Sequence, residues 1–290
     1  QREQLSAMAQ ELLDRAMGRK LDDVFGKNLA GKLLANSNLS EADIRELLSK
    51  LARGEISEAD FRRLIQENTS LTTAEIATLV ASIAQVAKET EELKELIANT
   101  TDVKELERIL REKSGLTEAE IAQLVEQKKE VLAQEGNLKK DALARIVARL
   151  RRNKELGIDL AFCAQTASID QFFIGPTYFG FDQSNMDDKT LGTFTYDLDL
   201  AKGPFHSQEG IVIQVEGNAD DRGSDAYNKA LADRRWYGPS RLMLTLDFSE
   251  DDIRGVSRGE ECPLEKLSNE TDEDWWQKNR RNDYVVKLKQ

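Results

Sequence analysis

The sequence predicts an all-α N-terminal domain followed by an α+β domain with helices on a sheet, and three observations carry that expectation. Through residue 155, apolar residues recur at three- and four-residue spacing, whereas beyond residue 160 short runs of β-branched and aromatic residues take over. Of the ten phenylalanines, five tyrosines and three tryptophans, only Phe25 and Phe61 precede residue 150. All four prolines follow it. A composition step of that size marks a domain boundary. The expected division is a helical bundle or spacer domain at 1–155, a linker at 156–174 and the α+β domain at 175–290.

In the first domain the stripe Leu5, Met8, Ala9, Leu12, Leu13, Ala16 fits a 3.6-residue period, as do Leu106, Ile109 and Leu110. One pattern recurs at residues 39–44, 56–61, 71–76 and 116–121: an apolar residue, Ser or Thr, any residue, Ala, an acid, then Ile or Phe. The hydroxyl accepts from a first-turn N–H, the acid three residues on acts as the capping-box partner, and the leading apolar residue staples to the Ile or Phe. Each copy therefore starts a helix, and Gly54, Gly115 and Gly136 sit where the preceding helices should stop. Seven or eight helices are expected, starting near residues 3, 20, 40, 57, 72, 102, 117 and 138. The copies are irregularly spaced, which argues against a solenoid and for a bundle or extended spacer.

In the second domain, residues 177–182 and 211–216 read as strands. Between them Leu191, Phe194, Leu198 and Ala201 have helical spacing. A helix at 225–235, a strand at 253–257, a helix at 272–278 and a last strand at 283–288 complete a helix-on-sheet order.

Forty-one Lys and Arg against 53 Asp and Glu give a net charge of −12. That balance excludes a general nucleic-acid or anionic-membrane binder, which needs a phosphate-facing basic excess. The single histidine, His206, excludes metal sites built on two imidazoles, and beside Gly203 and Pro204 it reads as an exposed loop residue. No nucleophile–base pair or metal constellation emerges, so neither an enzyme nor a cofactor is expected. No apolar run reaches the roughly 20 residues of a membrane-spanning helix. The sequence begins at Gln1 without an initiator Met or an apolar leader, as expected of a trimmed chain or of a mature protein whose signal peptide has gone. Cys163 and Cys262 fit no CxxC pattern, leaving one disulfide or two buried thiols open.

Four separated blocks are recognisable in order. They are Val215-Glu216-Gly217-Asn218-Ala219-Asp220-Asp221-Arg222-Gly223; Tyr227-Asn228 with Leu231-Ala232-Asp233-Arg234-Arg235; Val256-Ser257-Arg258-Gly259-Glu260-Glu261-Cys262-Pro263; and Lys278-Asn279-Arg280-Arg281. Together they resemble the OmpA-like peptidoglycan-binding domain, in particular the branch of peptidoglycan-associated lipoproteins, whose first strand also tends to read like Tyr178-Phe179-Gly180-Phe181-Asp182. The resemblance covers about residues 175–288, and the helical domain is not recognised.

The resemblance implies a mixed four-stranded sheet with helices on one face, and non-catalytic binding of the diaminopimelate-containing stem peptide of peptidoglycan. Asp220 would accept the ligand ammonium and Arg235 would hold its carboxylate by a bidentate fork. Asn228 would hydrogen-bond the peptide, Phe181 and Asp182 would form the opposite wall, and Ala219 completes the implied set. Arg280 and Arg281 read as structural. The implied setting is the periplasm of a Gram-negative-type bacterium, at the wall or outer membrane. The helical domain would be a spacer or a docking module for envelope proteins, and membrane attachment would need a lipid anchor since removed. A periplasmic scaffold with degenerate wall binding and a stator-type envelope complex are the alternative functions. An oxidising compartment favours a Cys163–Cys262 disulfide. The sequence departs from the family at Trp236-Tyr237-Gly238-Pro239, where Pro239 cannot donate to the carbonyl of Arg235, so a kink or early helix end is expected there.

Overall fold

Each copy of the capping pattern starts a helix in the computed structural model, which describes residues 6–28, 31–32, 37–158, 163 and 172–289. The first helical elements are α1 (Ala7–Asn28), α2 (Glu41–Ala52), α3 (Glu58–Asn68), α4 (Thr73–Asn99), α5 (Val103–Lys113) and α6 (Glu118–Glu155). Ser40, Ser57 and Thr72 accept hydrogen bonds from the backbone N–H groups of Asp43, Asp60 and Glu75. Thr117 does the same for Glu120. Gly54 and Gly115 adopt φ of 69° and 73° just past helix ends, a region open to glycine because it has no Cβ.

Two expected helix starts do not occur. The chain runs without a break through residue 20, because Met17, Leu21 and Phe25 continue the buried stripe of Leu13 and Ala16. It also runs through Gly136, which sits inside α6 rather than ending a helix. A lone glycine weakens a helix by only about 1 kcal/mol relative to alanine, and no proline or cap reinforces the stop there. The expected start near residue 3 lies outside the described residues.

The chain divides into two compact units, Gln1–Lys129 and Glu130–Gln290. In the first unit α1 contributes to two apolar clusters, one through Met17, Leu21 and Phe25 and one through Ala9, Leu12 and Leu13. Lys128, almost wholly buried, caps the end of α4 by donating to the carbonyls of Ile97 and Ala98.

The division falls earlier than the composition step suggests, because the later turns of α6 belong to the second unit. Leu143, Ile146, Val147 and Leu150 pack into the same core as Phe173, Phe194 and Tyr284. Lys139 pairs with buried Asp197 at 2.9 Å, and Asp197 also accepts from the N–H of Gly175. Aromatic content marks the sheet, and this helical segment has none to betray that it packs there.

The second unit continues with β1 (Phe172–Tyr178), α7 (Asp188–His206), β2 (Ile211–Asn218), α8 (Asp225–Thr245), a short 3-10 turn (Glu250–Asp252), β3 (Ile253–Gly259), α9 (Asp272–Asn279) and β4 (Arg281–Leu288). The sheet order is β1-β4-β2-β3, with β2 and β3 parallel and β4 antiparallel to β1 and β2. It is a mixed four-stranded sheet with an α+β layout, following an all-helical N-terminal part. Ile211, Ile213 and Val215 alternate along β2 into the core, joined by Tyr284 and Val286 of β4. Glu216, the next residue of β2, is also buried and pairs with Arg258 of β3 at 2.8 Å.

The first strand is displaced from its expected position. It begins at Phe172, within the segment read as linker, and ends at Tyr178, so residues 179–182 leave the sheet. Pro176 is tolerated because β1 is an edge strand with no ladder donor required there. The turn that follows contains Asp182 at φ 54°, a left-handed conformation that ends strand geometry. His206 is the last residue of α7 rather than a loop residue, with Nε2 3.7 Å from Asp252.

Candidate functional site

The segment from Asn218 to Ser224 turns the chain out of β2 and into α8, whose N-cap Ser224 accepts from the N–H of Tyr227. Two glycines set how closely α8 lies on the sheet. A Cβ at Gly217 would stand 2.1 Å from the carbonyl oxygen of Ala232, and one at Gly255 would stand 2.2 Å from the ring of Trp236. The tryptophan that departs from the family pattern therefore packs on bare strand backbone.

Pro239 does not end the helix, which continues to Thr245. The carbonyl that Pro239 leaves without its usual donor, that of Arg235, accepts instead from Asn282 Nδ2 at 2.8 Å. That replacement compensates the missing backbone bond and keeps the helix intact beyond the proline.

Arg235 is fully buried. Its Nε donates to the carbonyl of Gln183 at 2.8 Å and its terminal nitrogens to those of Asn218 at 2.9 Å and Gly180 at 3.4 Å. Burial pushes its pKa down to about 10, opposed by the charge of Asp220, so it stays protonated at neutral pH. Three of its donors thus tie the 180–183 turn to the end of β2, which fixes the guanidinium rather than leaving it loose.

Asp220 is buried and accepts from Arg222 at 2.7 Å and from Arg280 at 3.3 Å. Burial pushes its carboxyl up, but the hydrogen bonds from Arg222 and Arg280 prevail and hold its pKa below the usual range. Arg222 lies with its guanidinium carbon 4.4 Å from the centre of the Phe181 ring and 4.2 Å from that of Trp276. It also reaches Glu273 at 3.4 Å. Arg280 is buried and bonds the carbonyl of Phe179, so it holds the first turn against Asp220.

A cleft of about 220 Å³ is lined by Phe181, Asp182, Asp220, Arg222, Gly223, Tyr227, Asn228, Leu231 and Arg235. Five of the six residues implied by the sequence motifs meet there. Ala219 does not line it; it is buried and its N–H donates to the carbonyl of Gly259 at 2.7 Å. Asn228 is buried with its amide nitrogen directed to Glu260, and Asp182 accepts from the hydroxyl of Tyr227. Sequence reasoning assigned no role to Arg222, Tyr227 or Leu231. Arg222 stands two residues after Asp220, close enough for the ion pair to have been foreseen; Leu231 follows Tyr227 by one helical turn.

The loop after β3 is fixed from two sides. Cys262 forms a disulfide with Cys163, Cα to Cα 5.5 Å, and the carbonyl of Cys262 accepts from Arg281. Arg281 also pairs with Asp283 at 2.9 Å inside the sheet.

A buried carboxylate and a buried, immobilised guanidinium line one small cleft, which therefore presents an acidic and a basic group to whatever enters it. The comparisons with known proteins agree with the motifs. No family model matches the chain. Over 104 residues, 36% of this chain, it is 32% identical to the peptidoglycan-associated lipoprotein of Pseudomonas putida and spans 58% of that protein. It is 34% identical, again over 104 residues, to the peptidoglycan-associated lipoprotein of Pasteurella multocida (strain Pm70), spanning 65% of it. The chain thus matches about three fifths of the length of these curated relatives. Among solved structures, that of the peptidoglycan-associated lipoprotein from Burkholderia pseudomallei is 28% identical, with a TM-score of 0.33, covering 39% of this chain and 89% of that one. The OmpA-like domain of FopA1 from Francisella tularensis is 19% identical, with a TM-score of 0.31, covering 39% and 71%. Over these residues the C-terminal part of the chain is similar to the peptidoglycan-associated lipoproteins, as its motifs imply.

Proposed function

We propose that the C-terminal domain binds peptidoglycan without catalysis and anchors an envelope component to the cell wall. The carrying observation is that Asp220 and Arg235 line one cleft of about 220 Å³, a volume suited to a single amino-acid end. The diaminopimelate side chain ends in an ammonium and a carboxylate on one carbon. Its ammonium would take the place of the Arg222 guanidinium on Asp220, and its carboxylate would face Arg235. Arg222 can yield this place because its side chain is 29% exposed and its charge keeps a second partner in Glu273. The relatives are named for association with peptidoglycan, which supports the same ligand class for this chain.

The helical unit acts in this reading as a spacer. Every large hydrophobic side chain exposed among the described residues lies beyond residue 130, so the described surface of the first unit offers no apolar face for docking. Among those residues no helix is long and apolar enough to cross a membrane. The proposed setting is the periplasmic space beside the wall.

The test is co-sedimentation with purified diaminopimelate-type sacculi. Wild type should pellet, while Asp220→Ala and Arg235→Ala should stay largely in the supernatant. Wild type remaining soluble, or both variants pelleting as well as wild type, would refute the site. Because Arg235 also ties the 180–183 turn to β2, Asp220→Asn serves as the variant that keeps the fold.

A further inference from the structure

Asn228 lines the cleft and is almost wholly buried, at 1% exposure. Its side-chain amide has a donating end and an accepting end, and which of them a ligand meets depends on what holds the other. Here the donating end is taken. Nδ2 donates to Oε2 of Glu260 at 2.5 Å, and an ionised carboxylate only accepts, so the amide is not free to turn over. Oδ1 lies beside Gly223, another residue of the cleft lining, where a Cβ would stand 3.2 Å from it. No donor among the described residues bonds this oxygen. A buried acceptor without a donor costs free energy, which a ligand N–H would recover.

Glu260 is half-buried, follows β3 and is not among the residues that line the cleft. Its loop is held on both sides of it. The Gly259 carbonyl accepts from the N–H of Ala219 at 2.7 Å, Glu261 accepts from Lys229 Nζ at 2.5 Å, and Cys262 is bonded to Cys163. The carboxylate is thus in place before a ligand arrives, so little entropy is lost in orienting the amide on binding.

Building on the reading of the cleft as a diaminopimelate site, we infer that Asn228 is a second acceptor, after Asp220, for the ligand ammonium, and that Glu260 is the positioning residue that makes it one. The carboxylate of the zwitterion is no partner for Oδ1, because both groups only accept. The ammonium brings three N–H donors, and Asp220 keeps Arg280 as a partner, so a further acceptor in the cleft has a donor to meet. Glu260 does not touch the ligand in this arrangement. It acts by fixing which end of Asn228 the ligand meets.

The experiment is calorimetric titration of the full chain with two probes: the L-alanyl-γ-D-glutamyl-diaminopimelate tripeptide, and the same tripeptide with 2-aminopimelate in third place, whose free end keeps the carboxylate but has no ammonium. Wild type is expected to prefer the first about a hundredfold, two hydrogen bonds to a charged group at about tenfold each. Glu260→Met keeps the length of the side chain but offers no acceptor, so the amide turns its nitrogen toward the cleft and the preference should fall about tenfold. Glu260→Gln loses the charge but keeps a carbonyl that can accept, so it should stay within about threefold of wild type. Asn228→Ala should match Glu260→Met, and combining the two should lower the preference no further. A preference unchanged in Glu260→Met, with both probes weakened alike, assigns Glu260 to holding the loop and overturns the inference. An equal fall in the Gln and Met variants, or a further fall in the double variant, overturns it as well, since the charge then acts without Asn228. Wild type that binds neither probe, or both equally, removes the diaminopimelate reading itself and the inference with it.

Discussion

Asn282 donates its side-chain N–H to the backbone carbonyl of Arg235 at 2.8 Å, in the place where a residue other than Pro239 would supply a helical hydrogen bond. Asn282 is wholly buried in β4. Asn282→Ala leaves that carbonyl without a partner and should destabilise the domain by about 1–3 kcal/mol. Pro239→Ala restores the backbone donor, so it should recover part of the loss in the Asn282→Ala background and little or nothing in wild type. Urea unfolding of the four variants measures the coupling. Additive effects would show that the two groups do not substitute for one another.

Arg222 occupies the side of Asp220 that the proposed ammonium needs. Arg222→Ala removes a competitor from a partly exposed ion pair, so its stability effect should be no more than about 1 kcal/mol. Affinity for the diaminopimelate tripeptide should rise severalfold, read by calorimetry. A drop in affinity would mean that Arg222 grips the ligand instead of yielding to it.

The carboxyl of Asp220 is held below its usual pKa, so the folded state releases this proton more readily than the unfolded chain. Its stabilisation is therefore complete above the unfolded carboxylate value of about 3.9 and is lost as pH falls through the lower folded value. Asp220→Asn should be less stable than wild type at pH 7, with the gap closing as pH falls below the usual carboxylate range. Denaturant midpoints taken from pH 7 downward test this, and a gap that stays constant assigns the pH dependence to other carboxyls.

Cys163 and Cys262 close a loop spanning 99 residues of sequence. A cross-link of that length stabilises by about 4–5 kcal/mol through the entropy it removes from the unfolded chain. Adding a reductant to wild type should lower its melting temperature to that of the Cys163→Ser/Cys262→Ser variant, and should leave the variant unchanged. Equal melting of oxidised and reduced protein would argue against the bond.

The second half of α6 supplies Leu143, Ile146, Val147 and Leu150 to the core of the second unit. At roughly 1.5–3 kcal/mol for each buried aliphatic side chain, their loss rivals the whole stability of an ordinary domain. A chain beginning at Glu130 should melt cooperatively, whereas one beginning at residue 160 should melt at least 10 °C lower or without a transition. Equal melting would place these turns outside the folding unit.

The capping residues made the helix starts legible, because Ser40, Ser57, Thr72 and Thr117 act over three residues and need no tertiary context. Gly136 misled because a glycine terminates a helix only when the backbone adopts a positive φ, and the sequence at 136 does not demand one. The cleft was legible through Asp220 and Arg235, since the turn and helix that carry them are continuous in sequence. Leu143 to Leu150 and Arg222 were not placed, because what they do is set by residues far along the chain: Phe173 and Tyr284 in one case, Phe181 and Trp276 in the other. Pro239 looked like a stop because the donor that replaces its N–H, Asn282, lies in β4, 47 residues after the Arg235 whose carbonyl it bonds.

The packing of the Trp236 ring on Gly255 also constrains how this helix–strand contact changes by mutation. A methyl group at 255 would have to share space with the indole, at 2.2 Å from ring carbon. Alanine is therefore admissible at 255 only after the indole has been trimmed, and a bulky ring at 236 only while 255 remains glycine. Of the two single-step routes between a Gly–Trp pair and an Ala–small pair, one crosses a steric collision and the other only a cavity. The contact thus imposes an order on sequence drift: the helix must change first and the strand second.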